Sequence, residues 1–464
     1  MKNSENVFDF FAHEDDYPDL DCNLAVSHLS QALKCRSVSE CEDPAPFYAL
    51  HQLIKSAYPH ITEEGTMEIL DRSVLICIEG QGSSALPALF MSHLDVVPVI
   101  PGTESNWLHE AFSGDIADGY IWGRGALDIK EQVFGVLEAV EYLLAHGIKP
   151  SRTIYLAFGQ DEETTGTAGA QKIAALLVSR NVRLEFLIDE GGGDITDGTP
   201  YGAPGTFLSF INTMEKGYAD LELTVKSKGG HSSRPFGGTS LAILANAISS
   251  IVNNPFPARL PSVMKEAFKA LSPYISSEPL RTLVKDVDKN CVAIAEYCLD
   301  VEELFPHVTT TIAPTVIRGS SAACNVMPQD MNAVINFRIA SGYTPEDIMK
   351  HCIKAVDDDR VSFRYLTANP PSAAARTDGE AYKELVEVMS IYYKDVVFVP
   401  METAGSTDAR MYEGVCNTCL RFSPFISPLS DVRSGVHGTN ERISVRSYMQ
   451  GIRALIKFID TACC

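Results

Sequence analysis

Positive charge is what this sequence lacks most. Lys and Arg number 38 against 60 Asp and Glu, a net charge of −22. Such a chain repels nucleic acid and anionic membrane surfaces. Long apolar runs are missing too, and no stretch approaches the roughly 20 residues needed to cross a bilayer. The start, Lys2-Asn3-Ser4-Glu5-Asn6, has no basic segment leading into an apolar one, so no secretory leader is expected. The 12 cysteines are scattered, and Cys416-Asn-Thr-Cys419 has no second CxxC to complete a metal or redox site. These absences predict a reduced, cytoplasmic protein with free thiols and neither nucleic-acid nor membrane partners. Internal repeats and low-complexity tracts are also absent.

What is present is a chain of 464 residues, 45% hydrophobic, enough for a sizeable core and more than one domain. The acidic segment from Met1 to about Leu20 is expected to wrap the surface. Asn23 to Leu33 and Pro46 to Tyr58 carry apolar residues at helical spacing. From Ala85 onward, apolar strands alternate with amphipathic helices. Ala85 to Ser92 runs into His93. Glu131 to His146 reads as a helix stopped by Gly147. Thr153 to Phe158 leads to Asp161-Glu162-Glu163, Thr167 to Arg180 is a helix, and Glu185 to Ile188 leads to Asp189-Glu190-Gly191-Gly192-Gly193. This alternation implies α/β architecture: a mixed, mostly parallel sheet flanked by helices. Ligand-type residues then stand just beyond three strand ends, the edge where open α/β sheets bind ligands.

A different pattern starts near Lys216. Leu221, Leu223 and Val225 alternate with Asp220, Glu222, Thr224 and Lys226, and a helix follows from Thr239 to Asn253. Val308 to Ile317 is β-rich, and Asn332 to Ile339 alternates again. Thr344-Pro345-Glu346-Asp347 starts a helix, and Val361 to Leu366 is a last strand. The order β-α-β-β-α-β is the split, ferredoxin-like α+β arrangement, interrupted by extra helical sequence from Pro257 to about Leu304. Asn369-Pro370-Pro371 reads as a linker, after which the α/β style returns. The expected organisation is a catalytic unit from 1–215 and 368–464, with an inserted lid or dimerisation unit at 216–367.

The stretch from Ser92 to Gly166 carries the chemistry. His93 can supply a nitrogen ligand, and Asp95 is placed to orient its ring rather than bind metal. Asp128 follows Gly123-Arg124-Gly125 at a helix entry. Of the Glu162-Glu163 pair, one can bind metal while the other takes a proton from water. His437, among glycines in a loop, offers a second nitrogen. Each alone has a plain structural explanation: a surface pair, a helix-start carboxylate, a solvated acidic turn, a loop His. Together they form the mixed N and O inventory of a two-metal site.

These motifs resemble the di-zinc metallopeptidase family of aminoacylase, carboxypeptidase S and succinyl-diaminopimelate desuccinylase. The resemblance rests on His93-Leu-Asp95, Gly123-Arg124-Gly125-Ala-Leu-Asp128, Asp161-Glu162-Glu163, Gly229-Gly230-His231-Ser232-Ser233 and His437-Gly438-Thr-Asn440-Glu441. Asp189-Glu190-Gly191-Gly192 points to the carboxypeptidase S and N-acyl-amino-acid branch. It implies two Zn2+ ions per site, with His93 on one, Asp128 bridging, and Glu163 and His437 on the other. Glu162 would be the general base. The first zinc's remaining carboxylate would be Asp189 or Glu190, with a slight preference for Asp189. His231 would reach a neighbouring subunit's site in a homodimer and polarise the scissile carbonyl. Asn325, Arg338, Ser406 and Thr407 match substrate-binding positions. The implied activity is hydrolysis of small peptides, or alternatively of N-acyl amino acids. A catalytically silent binding protein of the same fold is the rival of another class. Gln160 departs from the pattern, standing where close relatives often have His, and no N-terminal signal or anchor is expected, although several carboxypeptidase S relatives have one.

Overall fold

A computed structural model describes residues 6–39, 41–82, 84–320, 323–403 and 405–464. The chain runs through helices α1 (Cys22–Lys34) and α2 (Ala45–Ala57), then strands β1 (Gly65–Leu70), β2 (Ser73–Ile78) and β3 (Ala88–His93). Helix α3 (Lys130–Ala145), β4 (Ile154–Gly159), α4 (Ala170–Ser179), β5 (Phe186–Asp189) and β6 (Phe207–Glu215) follow. Next come β7 (Gly217–Lys226), α5 (Ser240–Val252), α6 (Ser262–Leu271), β8 (Thr311–Gly319), β9 (Asp330–Ile339), α7 (Pro345–Val356) and β10 (Val361–Asn369). Helix α8 (Glu380–Tyr392), β11 (Val396–Thr403), β12 (Cys419–Arg421) and α9 (Val445–Cys463) complete the labelled elements.

The large sheet has nine strands, in the order β1-β2-β4-β3-β5-β12-β6-β11, with Ile195–Asp197 pairing β6 off this path. Its middle, β4-β3-β5-β12, is parallel, while β1 and β2 add antiparallel strands at one edge. All six residues of β3 are buried, as a strand covered on both faces requires. Helices α3 and α9 pack together on one face, and α4 supplies Ile173 and Leu177 to the other. Register places His93 opposite Gly159 and Phe90 opposite Ile188. The carboxyl ends of β3, β4 and β5 therefore lie side by side.

The N-terminal segment does more than wrap the surface. Val7, Phe10 and Phe11 are buried, and Phe10 packs edge-on against Phe207 with ring centroids 4.8 Å apart. Burial stabilises each such side chain by about 1.5–3 kcal/mol, which outweighs the pull of the acidic neighbours toward water. The first residues of that segment, 1–5, lie outside the described residues. The β1–β2 hairpin was not among the expected elements.

The second sheet is antiparallel, ordered β8-β9-β7-β10. Ala219, Leu221, Leu223 and Val225 face Ala333, Ile335, Phe337 and Ile339 in a core completed by Leu244 and Ile251 of α5 and Ile348 of α7. Thr344 and Asp347 form a reciprocal capping box at the start of α7. The opposite face carries Tyr218, Asp220, Asn336 and Arg338 beside an open cavity. By packing, the stretch 216–367 divides in two. Met264, Phe268 and Leu271 of α6 lie against Leu208, Met214, Val399 and Met401 of the large sheet. The helical sequence interrupting the small sheet thus extends the core of the large one. The sheets join where β6 passes into β7 through buried Glu215 and Lys216. Glu215 accepts from Arg421 Nε at 2.7 Å, and Lys216 Nζ donates to Thr309 O at 2.8 Å.

Candidate metal centre

His93 closes β3 and is 1% exposed. Its Nδ1 lies 3.0 Å from the Asp95 backbone carbonyl. With that nitrogen donating, Nε2 carries the lone pair. Nε2 stands 3.3 Å from Asp128 Oδ1 and 3.4 Å from Glu190 Oε1, yet has no hydrogen-bond partner. On the far side of Asp128, His437 Nε2 lies 3.1 Å from Asp128 Oδ2 and 3.0 Å from Glu163 Oε2. Two trios result, His93-Asp128-Glu190 and Asp128-Glu163-His437, each with its ligand atoms within 4.8 Å of one another. Zinc bonds of about 2.0–2.2 Å place neighbouring ligand atoms at such separations. The buried, unbonded His93 Nε2 and the shared carboxylate between two imidazoles are what a pair of cations would need.

The scaffold of the site is built from distant parts of the chain. Asp95 accepts from Glu162 N–H and Glu163 N–H, both at 3.2 Å, and from Ser39 Oγ at 2.6 Å. Its carboxylate, also 3.5 Å from His93 Nδ1, fixes the ring and the Glu-Glu turn at once. Glu441 Oε1 accepts the backbone N–H groups of Gly125, Leu127 and Asp128, at 3.0, 2.8 and 3.1 Å. Arg124, itself buried, clamps the same carboxylate at 2.6 Å. This holds Asp128 in place. His437 takes a positive φ of 55°. The following turn needs glycine, because a Cβ on Gly438 would stand 2.0 Å from Ser434 O.

Crowding of acids dominates the electrostatics. Burial, then the nearby Glu190, pushes Glu162 up to about 11. Burial pushes Glu190 up to about 7, with His93 pulling the other way. Burial opposes a charged His93, but Glu190 and then Asp128 reverse this and raise it well above the usual imidazole range. Asp128 and then Glu163 raise His437 to about 10. These are the directions expected where protons are the only positive charges shared among close carboxyl groups.

Of the two acids at the end of β5, Glu190 faces His93, whereas Asp189 Oδ2 accepts the Ala409 N–H at 2.8 Å. Asp189 still follows the strand's alternation, and Glu190 is the first residue free to turn toward the sheet edge. The slight preference for Asp189 thus meets a geometry that brings Glu190 to the ligands. Glu162 lies 4.0 Å from His93 Nε2. His231 and Asn325 sit away from this basin, on an exposed ribbon where Gly230–His231 pairs with Val326–Met327. There Ser233 N–H reaches His231 Nδ1, and Ser232 N–H reaches the Asn325 carbonyl. Arg338 lies over the Tyr218 ring on the open face of the small sheet. Ser406 and Thr407 line a cavity of about 630 Å3 with Glu162 and Arg410, and Thr407 Oγ1 also donates to Glu215 at 3.0 Å.

The capping role of Glu441 and the Ser39 contact were not foreseen, whereas Arg410 follows Ser406 and Thr407 on the loop that lines the pocket. Arg410 forms no ion pair among the described residues and faces the Glu162 cavity. The motif containing Glu441 was visible, but which groups that carboxylate touches depends on loops that meet only in the folded chain.

The profile of Peptidase family M20/M25/M40 matches residues 89–461. The chain is 31% identical over 456 residues to a probable carboxypeptidase S-like 2 of Dictyostelium discoideum, covering 94% of this chain and 85% of that protein. It is 32% identical over 445 residues to the N-fatty-acyl-amino acid synthase/hydrolase PM20D1 of Mus musculus, covering 94% and 87%. Among solved structures, an M20 family metallo-carboxypeptidase of Sulfolobus solfataricus superposes with a TM-score of 0.66 at 20% identity, over 94% of this chain and 98% of that one. Human carnosine dipeptidase 1 superposes with a TM-score of 0.62 at 16% identity, over 99% and 98%. The structural likeness establishes the fold.

Proposed function

This chain belongs to Peptidase family M20/M25/M40 and is a hydrolase of peptide or N-acyl-amino-acid C–N bonds; we propose that small peptides are its main substrates and that the two trios around Asp128 form its metal centre. The observation that carries this is the sharing of Asp128 between His93 and His437, with Glu162 beside them. His93, Asp128 and Glu190 would hold one divalent cation, and Asp128, Glu163 and His437 a second; Zn2+ suits this mix of imidazole and carboxylate. Such cations, when bound, polarise an amide carbonyl and make water acidic enough to attack near neutral pH.

Glu162 takes the proton of the attacking water and delivers it to the leaving nitrogen. Asp95 keeps Glu162 and His93 in register by holding both. The Glu162 cavity, with Ser406, Thr407 and Arg410, receives the leaving half, and Arg410 supplies a cation for its terminal carboxylate. Arg338, on the lid, is a second such group.

His231 and Asn325 are contributions to a neighbouring copy's site, where His231 binds the reacting carbonyl oxygen, so the active form is a homodimer through the small sheet. Their exposure, away from this chain's own ligands, supports that reading. All 12 cysteines are unpaired, which supports a reducing, cytoplasmic setting. No helix among the described residues is long and apolar enough to cross a membrane.

N-acyl amino acids are the second reading, favoured by the PM20D1 relative. Hydrolysis of dipeptides against N-acyl amino acids, with and without chelator, tests both. Chelator-sensitive cleavage with dipeptides ahead is the expected result. Cleavage of neither class, with metal supplied, would remove the proposal.

A further inference from the structure

Two cavities flank the metal centre. The larger contains Glu162. The other, of about 180 Å3, is bordered by Asp128 and Glu190 and lined further in by Glu131 and Asp194. Glu131 is 2% exposed, and its Oε2 has no hydrogen-bond partner. A buried, unpaired carboxyl oxygen is costly unless something reaches it. Asp194 likewise has neither hydrogen bond nor ion pair among the described residues. The cation that acts on it, Arg433, is exposed and does not pair with it. The remaining wall includes Phe425, Val432 and Val436, so the space combines an apolar sleeve with two hydrogen-bond acceptors.

The side of the scissile bond follows from Glu162. It hands its proton to the leaving nitrogen, so the leaving half occupies the cavity that contains it. The acyl half then lies toward the smaller cavity, across Asp128 and Glu190. This step rests on the function proposed above. We infer that the smaller cavity is the acyl-side subsite and that it takes a side chain ending in an ammonium, with Glu131 and Asp194 as its acceptors. A lysine-like group, a carbon stem tipped by a compact cation, matches both the sleeve and the acceptors. The space suits a short side chain better than a long fatty acyl chain, most of which would have to lie outside it: an enclosed void of about 150 Å3 holds a ring of roughly six heavy atoms, and this space is about 180 Å3. Burial pushes Asp194 up to about 6 and Glu131 well above the carboxylate range. An entering ammonium supplies the opposite charge that burial denies them.

The test uses the zinc-loaded full chain with lysyl-leucine, norleucyl-leucine, hexanoyl-leucine and dodecanoyl-leucine. Lysyl-leucine is expected to exceed norleucyl-leucine in kcat/KM by about tenfold or more. That ratio should fall toward one in Glu131→Gln and in Asp194→Asn. A merely structural role would lower both substrates together and leave the ratio unchanged, which overturns the inference. No preference for lysyl over norleucyl, with both dipeptides ahead of hexanoyl-leucine, would mean that only the α-amine is read, and overturns it too. Dodecanoyl-leucine turned over as well as lysyl-leucine would overturn the size argument. If no substrate is cleaved, the proposed function fails, and calorimetry decides the subsite alone. Free lysine binding more tightly than norleucine, with the difference lost in Glu131→Gln, upholds it. Equal binding, as for a cavity that holds only water, overturns it.

Discussion

His93 is buried at the end of a central strand with its ring fixed by Asp95, whereas His231 stands exposed on a short two-stranded ribbon separate from both larger sheets, touching none of the candidate metal ligands. The first is held before any ligand arrives, because its neighbours come from the same packed sheet edge. Among the described residues the second is met by its own ribbon, with Ser233 N–H at its Nδ1, and in the proposed dimer its precision would come from the surface that meets the ribbon. On the proposed function, rigid elements place the metal-binding groups, whereas assembly would place the oxyanion donor.

Breaking the buried side should cost most. Glu162→Gln keeps the carboxylate's shape without its base and is expected to lower kcat by about 10³–10⁴, with metal content unchanged by elemental analysis. Glu441→Ala attacks the support beneath Asp128. It leaves Arg124 buried and unpaired and three N–H groups without an acceptor, and should cost about 3–5 kcal/mol in chemical denaturation.

On the exposed side, His231→Ala should lower kcat by about 10²–10³ with little change in stability. Mixing His231→Ala with Glu162→Gln protein sharpens the comparison. If each ribbon serves its neighbour, one site in every mixed dimer regains both groups, and activity returns on subunit exchange. No recovery would place His231 in its own chain's site. Asp95→Asn, which weakens the hold on His93 and on the Glu-Glu turn, should lower activity about 10–100-fold. Arg410→Gln should have the smallest effect, raising KM for carboxylate-bearing substrates with kcat nearly kept.

The same contrast explains how much was legible in the sequence. Apolar periodicity marked α3, β4 and β7, because each buries a regular face or a continuous run. His93, Asp128, Glu163 and His437 were readable as candidate donors because metal chemistry allows few residue types, and the fold brings them together. Choosing between Asp189 and Glu190 was not possible from spacing, since adjacent carboxylates differ only in which leaves the strand's alternation first. The partnership of Glu441 with Asp128 was hidden for another reason: it joins loops more than three hundred residues apart. The helices from Pro257 to Leu304 were visible as helices, but their packing against β6 and β11 depends on a sheet face formed by strands before and after them.

The central claim is that Asp128 serves two cations at once, and metal stoichiometry tests it most directly. After loading with zinc and removal of excess, the unaltered chain should retain two equivalents per subunit, His93→Ala and His437→Ala about one each, and Asp128→Ala none. Two equivalents retained by Asp128→Ala, with the fold intact by circular dichroism, would contradict it.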